Sequence, residues 1–139
     1  MLCRPPEAIR DITGLQNKKC VPCEGGNIEK LEEGEINRLR VQCPGWKVSK
    51  TAQGVECISC DWKVKNFSSG LELMIRLGKV ADEEGHHPDL HLTGYNNIKA
   101  ELSTHAVGGL TINDFILAAK FNDVELSDLM PKKKAKFWA

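Results

Sequence analysis

The stretch Val55-Glu-Cys-Ile-Ser-Cys-Asp-Trp-Lys-Val-Lys65, followed after Asn66 by Phe67-Ser-Ser-Gly-Leu-Glu-Leu-Met-Ile-Arg-Leu-Gly-Lys-Val-Ala-Asp-Glu-Glu84, changes its apolar period from two to between three and four, and that change decides the fold. In its first part Ile58, Cys60, Trp62 and Val64 fall on one face and Cys57, Ser59, Asp61 and Lys63 on the other, as a half-buried strand requires. In its second part Phe67, Leu71, Met74, Leu77 or Gly78, and Ala81 recur at three and four, with Asn66 or Ser68 as the cap, which predicts a helix over 67–84. Gly85 is placed to end that helix. Pro88 cannot continue a helix and biases His87 towards extended geometry, so His86 and His87 are expected on a loop.

Upstream, Gly45-Trp46-Lys47-Val48-Ser49 reads as a short strand and Gln53-Gly54 as the turn into the longer one, a hairpin. Before it, Ile28, Leu31, Ile36, Leu39 and Val41 among Glu and Arg residues suggest an amphipathic helix from Ile28 that ends before Pro44-Gly45, although Gly34 weakens it by ~1 kcal/mol. Downstream, a short extended piece leads to a turn at Asn96-Asn97. There Ile98, Ala100, Leu102 and Thr104 alternate with Lys99, Glu101, Ser103 and His105 in another one-sided strand. Thr111-Ile-Asn-Asp114 is a capping-box variant that opens a helix through Phe115, Leu117, Ala118 and Phe121, ending before Pro131. The order α-β-β-α-β-β-α predicts an α+β fold, a mainly antiparallel four-stranded sheet with helices packed on one face.

The chain has 139 residues with 41% apolar, enough for one core, read as a single domain over 28–130. Residues 1–27 mix Pro5, Pro6, Gly14, Pro22, Gly25 and Gly26 without periodicity and read as an irregular arm, with the core starting only after it. Residues 131–139 form a basic tail, with Lys132, Lys133, Lys134 and Lys136 before Phe137-Trp138, and read as solvated. With 19 Lys+Arg against 19 Asp+Glu, zero net charge argues against a nucleic-acid partner. The longest apolar run, Phe115 to Ala119, is far too short for a membrane span, so no membrane partner is expected. The N-terminus shows no secretory stretch and carries Glu7 and Asp11, so a cytosolic location is expected, with reduced cysteines.

Cys20-Val-Pro-Cys23 and Cys57-Ile-Ser-Cys60 formally invite a zinc ribbon or a redox pair. The second unit fails on geometry, because in a strand Cys57 and Cys60 point to opposite faces, and the gap from Cys23 to Cys57 exceeds ribbon spacing. Cys20 and Cys23 alone stay open as a thiol pair or an incomplete metal site, and Cys60 reads as core. The sharper feature is a crowd of ionisable groups: Asp82, Glu83, Glu84, His86, His87, His105 and Asp114. Asp82 lies eleven residues, about three turns, after Leu71, so it is expected on the apolar face, pointing into the fold. Solvated loop histidines and a capping Asp82 satisfy the same spacing. His105 falls on the polar side of its strand, able to line a cleft on the open face. Asp114 at the third helical position has a sufficient reading as a cap. His91, between Leu90 and Leu92, has no partner of suitable spacing and is expected exposed.

Asp82, His86-His87-Pro88, Tyr95, His105 and Asp114, at these spacings and with Gly45-Trp46-Lys47-Val48 and Trp62 to Phe67 upstream, resemble the pterin-4a-carbinolamine dehydratases over about residues 28–125. The Cys20/Cys23 arm and Asp89-Leu-His-Leu-Thr-Gly-Tyr-Asn-Asn are similar to the plant and microbial branch. The resemblance implies a hydro-lyase that eliminates water from 4a-hydroxytetrahydrobiopterin to give quinonoid dihydropterin, recycling tetrahydrobiopterin. Histidine can serve as acid or base near neutral pH, and no redox cofactor or metal is required. It further implies His86, His87 and His105 as the catalytic trio, with Asp82, Trp46 and Asp114 as substrate-binding or supporting residues. Family members form dimers or tetramers, and some animal members bind a transcription factor, a role nothing in this sequence supports. The alternative is a non-catalytic scaffold, coactivator or assembly factor on the same fold.

Overall fold

The structure, a computed structural model, describes residues 14–21 and 28–132. The expectations placed on Cys3, Cys23 and residues 133–139 lie outside the described residues. Along the chain come a 3-10 turn Leu15–Asn17, helix α1 (Glu33–Arg40), strands β1 (Lys47–Lys50) and β2 (Glu56–Lys63), helix α2 (Phe67–Glu84), strands β3 (Asp89–Thr93) and β4 (Asn97–Leu102), helix α3 (Ile112–Asn122) and a 3-10 turn Ser127–Leu129. The four strands form one sheet in the order β1-β2-β4-β3, antiparallel at each pairing. Ile58, Val64, Ile98, Ala100 and Leu102 join Leu73, Leu77, Phe115, Leu117 and Phe121 in one core, so the helices cover one face, as the pattern predicts.

Three local expectations are corrected. Helix α1 begins at Glu33 rather than Ile28, because Glu32 caps it in a reciprocal box with Glu35, while Leu31 N donates to Leu110 O and ties the preceding segment to the approach to α3. Val41, read as apolar face, lies past the helix end and is 79% exposed. In α2 Leu77 and Ala81 of the expected stripe are buried, together with Ser69, Gly70 and Leu73, whereas Phe67 and Leu71 of that stripe are about half exposed, as is Ile75. The helix carries two apolar stripes, and the core selected the one that lets Gly70 approach the sheet. A Cβ there would meet Leu92 Cδ1 at 3.0 Å and Ile98 Cδ1 at 3.2 Å. Finally, β2 is not one-sided: Cys57 and Ser59 on its outer face are buried, because β2 lies inside the sheet and Ser59 stands opposite Glu101.

The core also begins earlier than expected. Leu15, in the stretch read as an arm preceding the core, is 2% exposed and belongs to the core cluster. No helix among the described residues is long and apolar enough to cross a membrane.

Candidate active site

Two loops at one end of the sheet build the site. The first is the exit of α2. Gly85 adopts a left-handed conformation (φ 67°), its N–H reaches Asp82 O, and His86 N reaches Ala81 O. This is a Schellman closure, so the last turn of α2 itself fixes where His86 stands. Pro88 then starts the chain into β3. The second loop follows β4: Thr104 N donates to Gly109 O, and Gly108 N to Thr104 O, closing a tight turn that presents His105.

Between the loops lies a cleft of about 590 Å³ lined by Gly85, His86, His87, Pro88, Asp89, Ser103, His105 and Ala106. The structure thus brings together His86, His87 and His105, which the sequence separates by up to nineteen positions. Their environments differ. His86 is buried, against the solvated-loop alternative, and its Nε2 lies 2.6 Å from Asp114 Oδ1. His87 and His105 are exposed.

Asp114 is fully buried and accepts at both oxygens. Thr111 N donates to Oδ2 at 3.0 Å and Thr104 Oγ1 to the same oxygen at 2.9 Å, the latter hydroxyl also bonded to Thr111 Oγ1 at 2.7 Å. With Thr104 and Thr111 N donating to Oδ2, the matching arrangement has His86 donating from Nε2 to Oδ1. Capping and histidine contact are therefore not rival roles: Oδ2 closes the capping box of α3 with Thr111 while Oδ1 holds His86.

Asp82 does not point into the fold. It stays in phase with Leu71, but that side of α2 faces solvent; its side chain is 80% exposed and its Oδ1 lies 2.9 Å from His87 Nε2. Trp46 is not brought to the cleft. It is 4% exposed, packs edge-on against Trp62 (centroids 6.0 Å apart) and beside Phe121, and donates from Nε1 to Asn122 Oδ1. Asn122 and Asp114 lie eight residues apart on α3, about 12 Å along its axis. Nor is His91 without a partner: its Nε2 is 3.2 Å from Glu101 Oε1, a cross-strand contact set by the β3–β4 register. Tyr95 is 63% exposed at the β3–β4 turn, with φ 62°.

The sequence reading missed Ser103 and Thr104 as parts of the site and gave Thr111 a capping role alone. Thr104 carried a usable signal, since a hydroxyl at an inward position of a strand must find a buried partner. Cys57 and Cys60, both buried, are free thiols, as is Cys20. No group of three or more His, Cys, Asp or Glu residues that could hold a metal occurs among the described residues.

Fold and site together define an α+β protein with a three-histidine cleft backed by a buried carboxylate. The family model described as pterin 4 alpha carbinolamine dehydratase matches residues 29–124, and the chain belongs to that family. It is 44% identical over 123 residues to the Arabidopsis thaliana protein named pterin-4-alpha-carbinolamine dehydratase 2, mitochondrial, a match covering 88% of this chain and 65% of that one. It is 39% identical over 128 residues to a probable chloroplastic dehydratase of the same plant, covering 92% of this chain and 57% of the other. The chain therefore spans less than two thirds of the length of these two relatives. A putative dehydratase from Rubrobacter xylanophilus is 37% identical over 109 residues, 78% of this chain and 96% of that one. A crystal structure of a transcriptional coactivator/pterin dehydratase from Brucella melitensis matches with a TM-score of 0.59 and 32% identity, over 68% of this chain and 96% of that one.

Proposed function

We propose that the cleft dehydrates a pterin-4a-carbinolamine, the reaction named for the chain's relatives. The observation that carries this reading is the convergence of His86, His87 and His105 on one cleft, with a buried carboxylate behind His86. In the reaction a proton passes to the 4a-hydroxyl, the C4a–O bond breaks and water leaves. The N5 lone pair forms the C4a=N5 bond, and the N5 proton goes to a base. Acid and base must both reach one small substrate, and an imidazole can serve in either role. His86, oriented by Asp114, is the rigid member of the trio. His87 and His105 are the solvent-facing members, and Asp82 steadies His87.

The test is the dehydration of a 4a-hydroxytetrahydropterin generated in situ by a hydroxylase and followed by ultraviolet absorbance. His86→Ala and His105→Ala are expected to abolish turnover and leave the chain folded. Unchanged activity in both, or no acceleration by folded wild type, overturns the reading in favour of a non-catalytic scaffold.

Assembly in even numbers of subunits belongs to the same proposal, supported by the half-exposed row Phe67, Leu71 and Ile75 along α2. Sedimentation is expected to show a dimer or tetramer, and a monomer at micromolar concentration speaks against it. A cytoplasmic location belongs to the reading of the sequence, whereas the two plant relatives are named mitochondrial and chloroplastic.

A further inference from the structure

The segment Leu15–Val21 lies outside the residues matched by the family model, yet it is bonded to the two places that hold the His86–Asp114 pair. Its root is Leu15 in the core. From there Gln16 O accepts from Lys120 Nζ at 2.8 Å. Further on, Cys20 N donates to Glu84 Oε1 at 2.9 Å, and Glu84 is two residues before His86 with its side chain only 6% exposed. The thiol of Cys20 reaches Asn113 O at 3.6 Å. Burial, reinforced by Glu84, pushes that thiol up to about 12, so at neutral pH it stays a donor.

Val21 is then clasped by Asn113, the residue next to Asp114. Its N–H donates to Asn113 Oδ1 at 2.8 Å, and its carbonyl accepts from Asn113 Nδ2 at 2.7 Å. Asn113 is fully buried, and a primary amide bonded at both ends to one backbone unit fixes the separation of the two strands of chain it joins. The segment therefore crosses from the last turn of α2 to the first turn of α3. Those are the elements that carry His86 and Asp114.

We propose that Leu15–Val21 is a positioning strap for the catalytic pair and that Asn113 is a positioning residue, acting through Asp114 and the last turn of α2 on the orientation of His86. The proposal rests on the dehydratase reading for its kinetic consequence and on geometry alone for its structural one. A carboxylate held 2.6 Å from an imidazole tolerates little displacement, and small misplacements of catalytic groups cost rate more than substrate binding.

The experiment compares wild type, Asn113→Ala and Val21→Pro in the full chain. Val21 is 44% exposed, so its replacement removes the donor to Asn113 without opening the core, and it keeps the test valid if Asn113→Ala fails to fold. Two readouts are taken: kcat and KM for the carbinolamine, and the proton resonance of the His86–Asp114 hydrogen bond, assigned by its loss in His86→Ala. Expected for Val21→Pro is a fall in kcat of about tenfold with KM within about twofold, together with a shifted or exchange-broadened resonance. Unchanged kcat and an unchanged resonance, even with a lowered Tm, overturn the strap. If wild type shows no turnover but the resonance still moves, the strap stands and the dehydratase reading falls.

Discussion

Asp114 shows how much one buried side chain can be asked to do. Its three hydrogen bonds all come from donors, so Asp114→Asn replaces one acceptor oxygen with an amide that must face either His86 Nε2 or the Thr111 N–H. Either a buried donor is left unpaired or His86 must change tautomer to accept at Nε2, a cost of about 1–3 kcal/mol. Denaturant titration is expected to show that loss with an unchanged slope, and turnover is expected to fall in the same variant; full stability would mean that the carboxylate's partners readily repack. Its residue type and position were legible, because Thr111-x-x-Asp114 is a local pattern. The pairing with His86 was not, because it joins a loop to a helix start 28 residues apart. The thiols give a second residue-scale outcome. Burial pushes Cys43 up to about 12 and Cys57 and Cys60 up to about 11, so almost none is thiolate at pH 8. Iodoacetamide is expected to label these three only after unfolding; rapid labelling of the native chain would contradict their burial.

At the scale of elements, periodicity revealed α2 but not its phase. Phe67, Leu71 and Ile75 make as good an apolar stripe as Leu73, Leu77 and Ala81, and no local rule chooses between them. Gly70 marks the chosen side, with Leu92 and Ile98 packed where its Cβ would be, but Gly78 in the same helix faces open space, so a glycine alone does not give the phase. Gly70→Ala gains about 1 kcal/mol of helix propensity but drives a methyl group against Leu92 and Ile98, an overpacking cost of about 1–3 kcal/mol, so a small net loss is expected, read as a lower midpoint of thermal or denaturant unfolding. An unchanged midpoint would show that those side chains move aside freely. The wrong phase also misplaced Asp82, whose correct angular relation to Leu71 pointed the opposite way once the core took the other stripe. The four strands and their antiparallel character, by contrast, were legible from alternation and turns; their order in the sheet, with β2 beside β4, and the second buried face of β2 were not, because long-range pairing sets them.

On the scale of the whole molecule, the N-terminal segment defeats sequence reading because nothing in it repeats: an irregular strap held by side chains from α2 and α3 has no period to show. Its energetic link to the domain runs through Glu84. Burial opposes ionisation of that carboxyl, but the Cys20 N–H with Lys120 and Lys19 together outweigh burial and hold it below its ordinary 4.5. Since the folded chain binds the proton less readily than the unfolded chain, the contribution is complete above about pH 4.5 and is lost as pH falls through the depressed folded value. Stability measured from pH 7 downward should therefore fall on an acid limb that is shallower in Glu84→Gln, which keeps an acceptor for Cys20 N but has no charge to titrate. The same variant should be less stable at pH 7, where the ion pairs with Lys120 at 3.5 Å and Lys19 at 3.8 Å are missing. Identical acid limbs in the two proteins would mean that the strap is held by its neutral hydrogen bonds alone, and that Leu15 and Asn113, rather than Glu84, couple it to the fold.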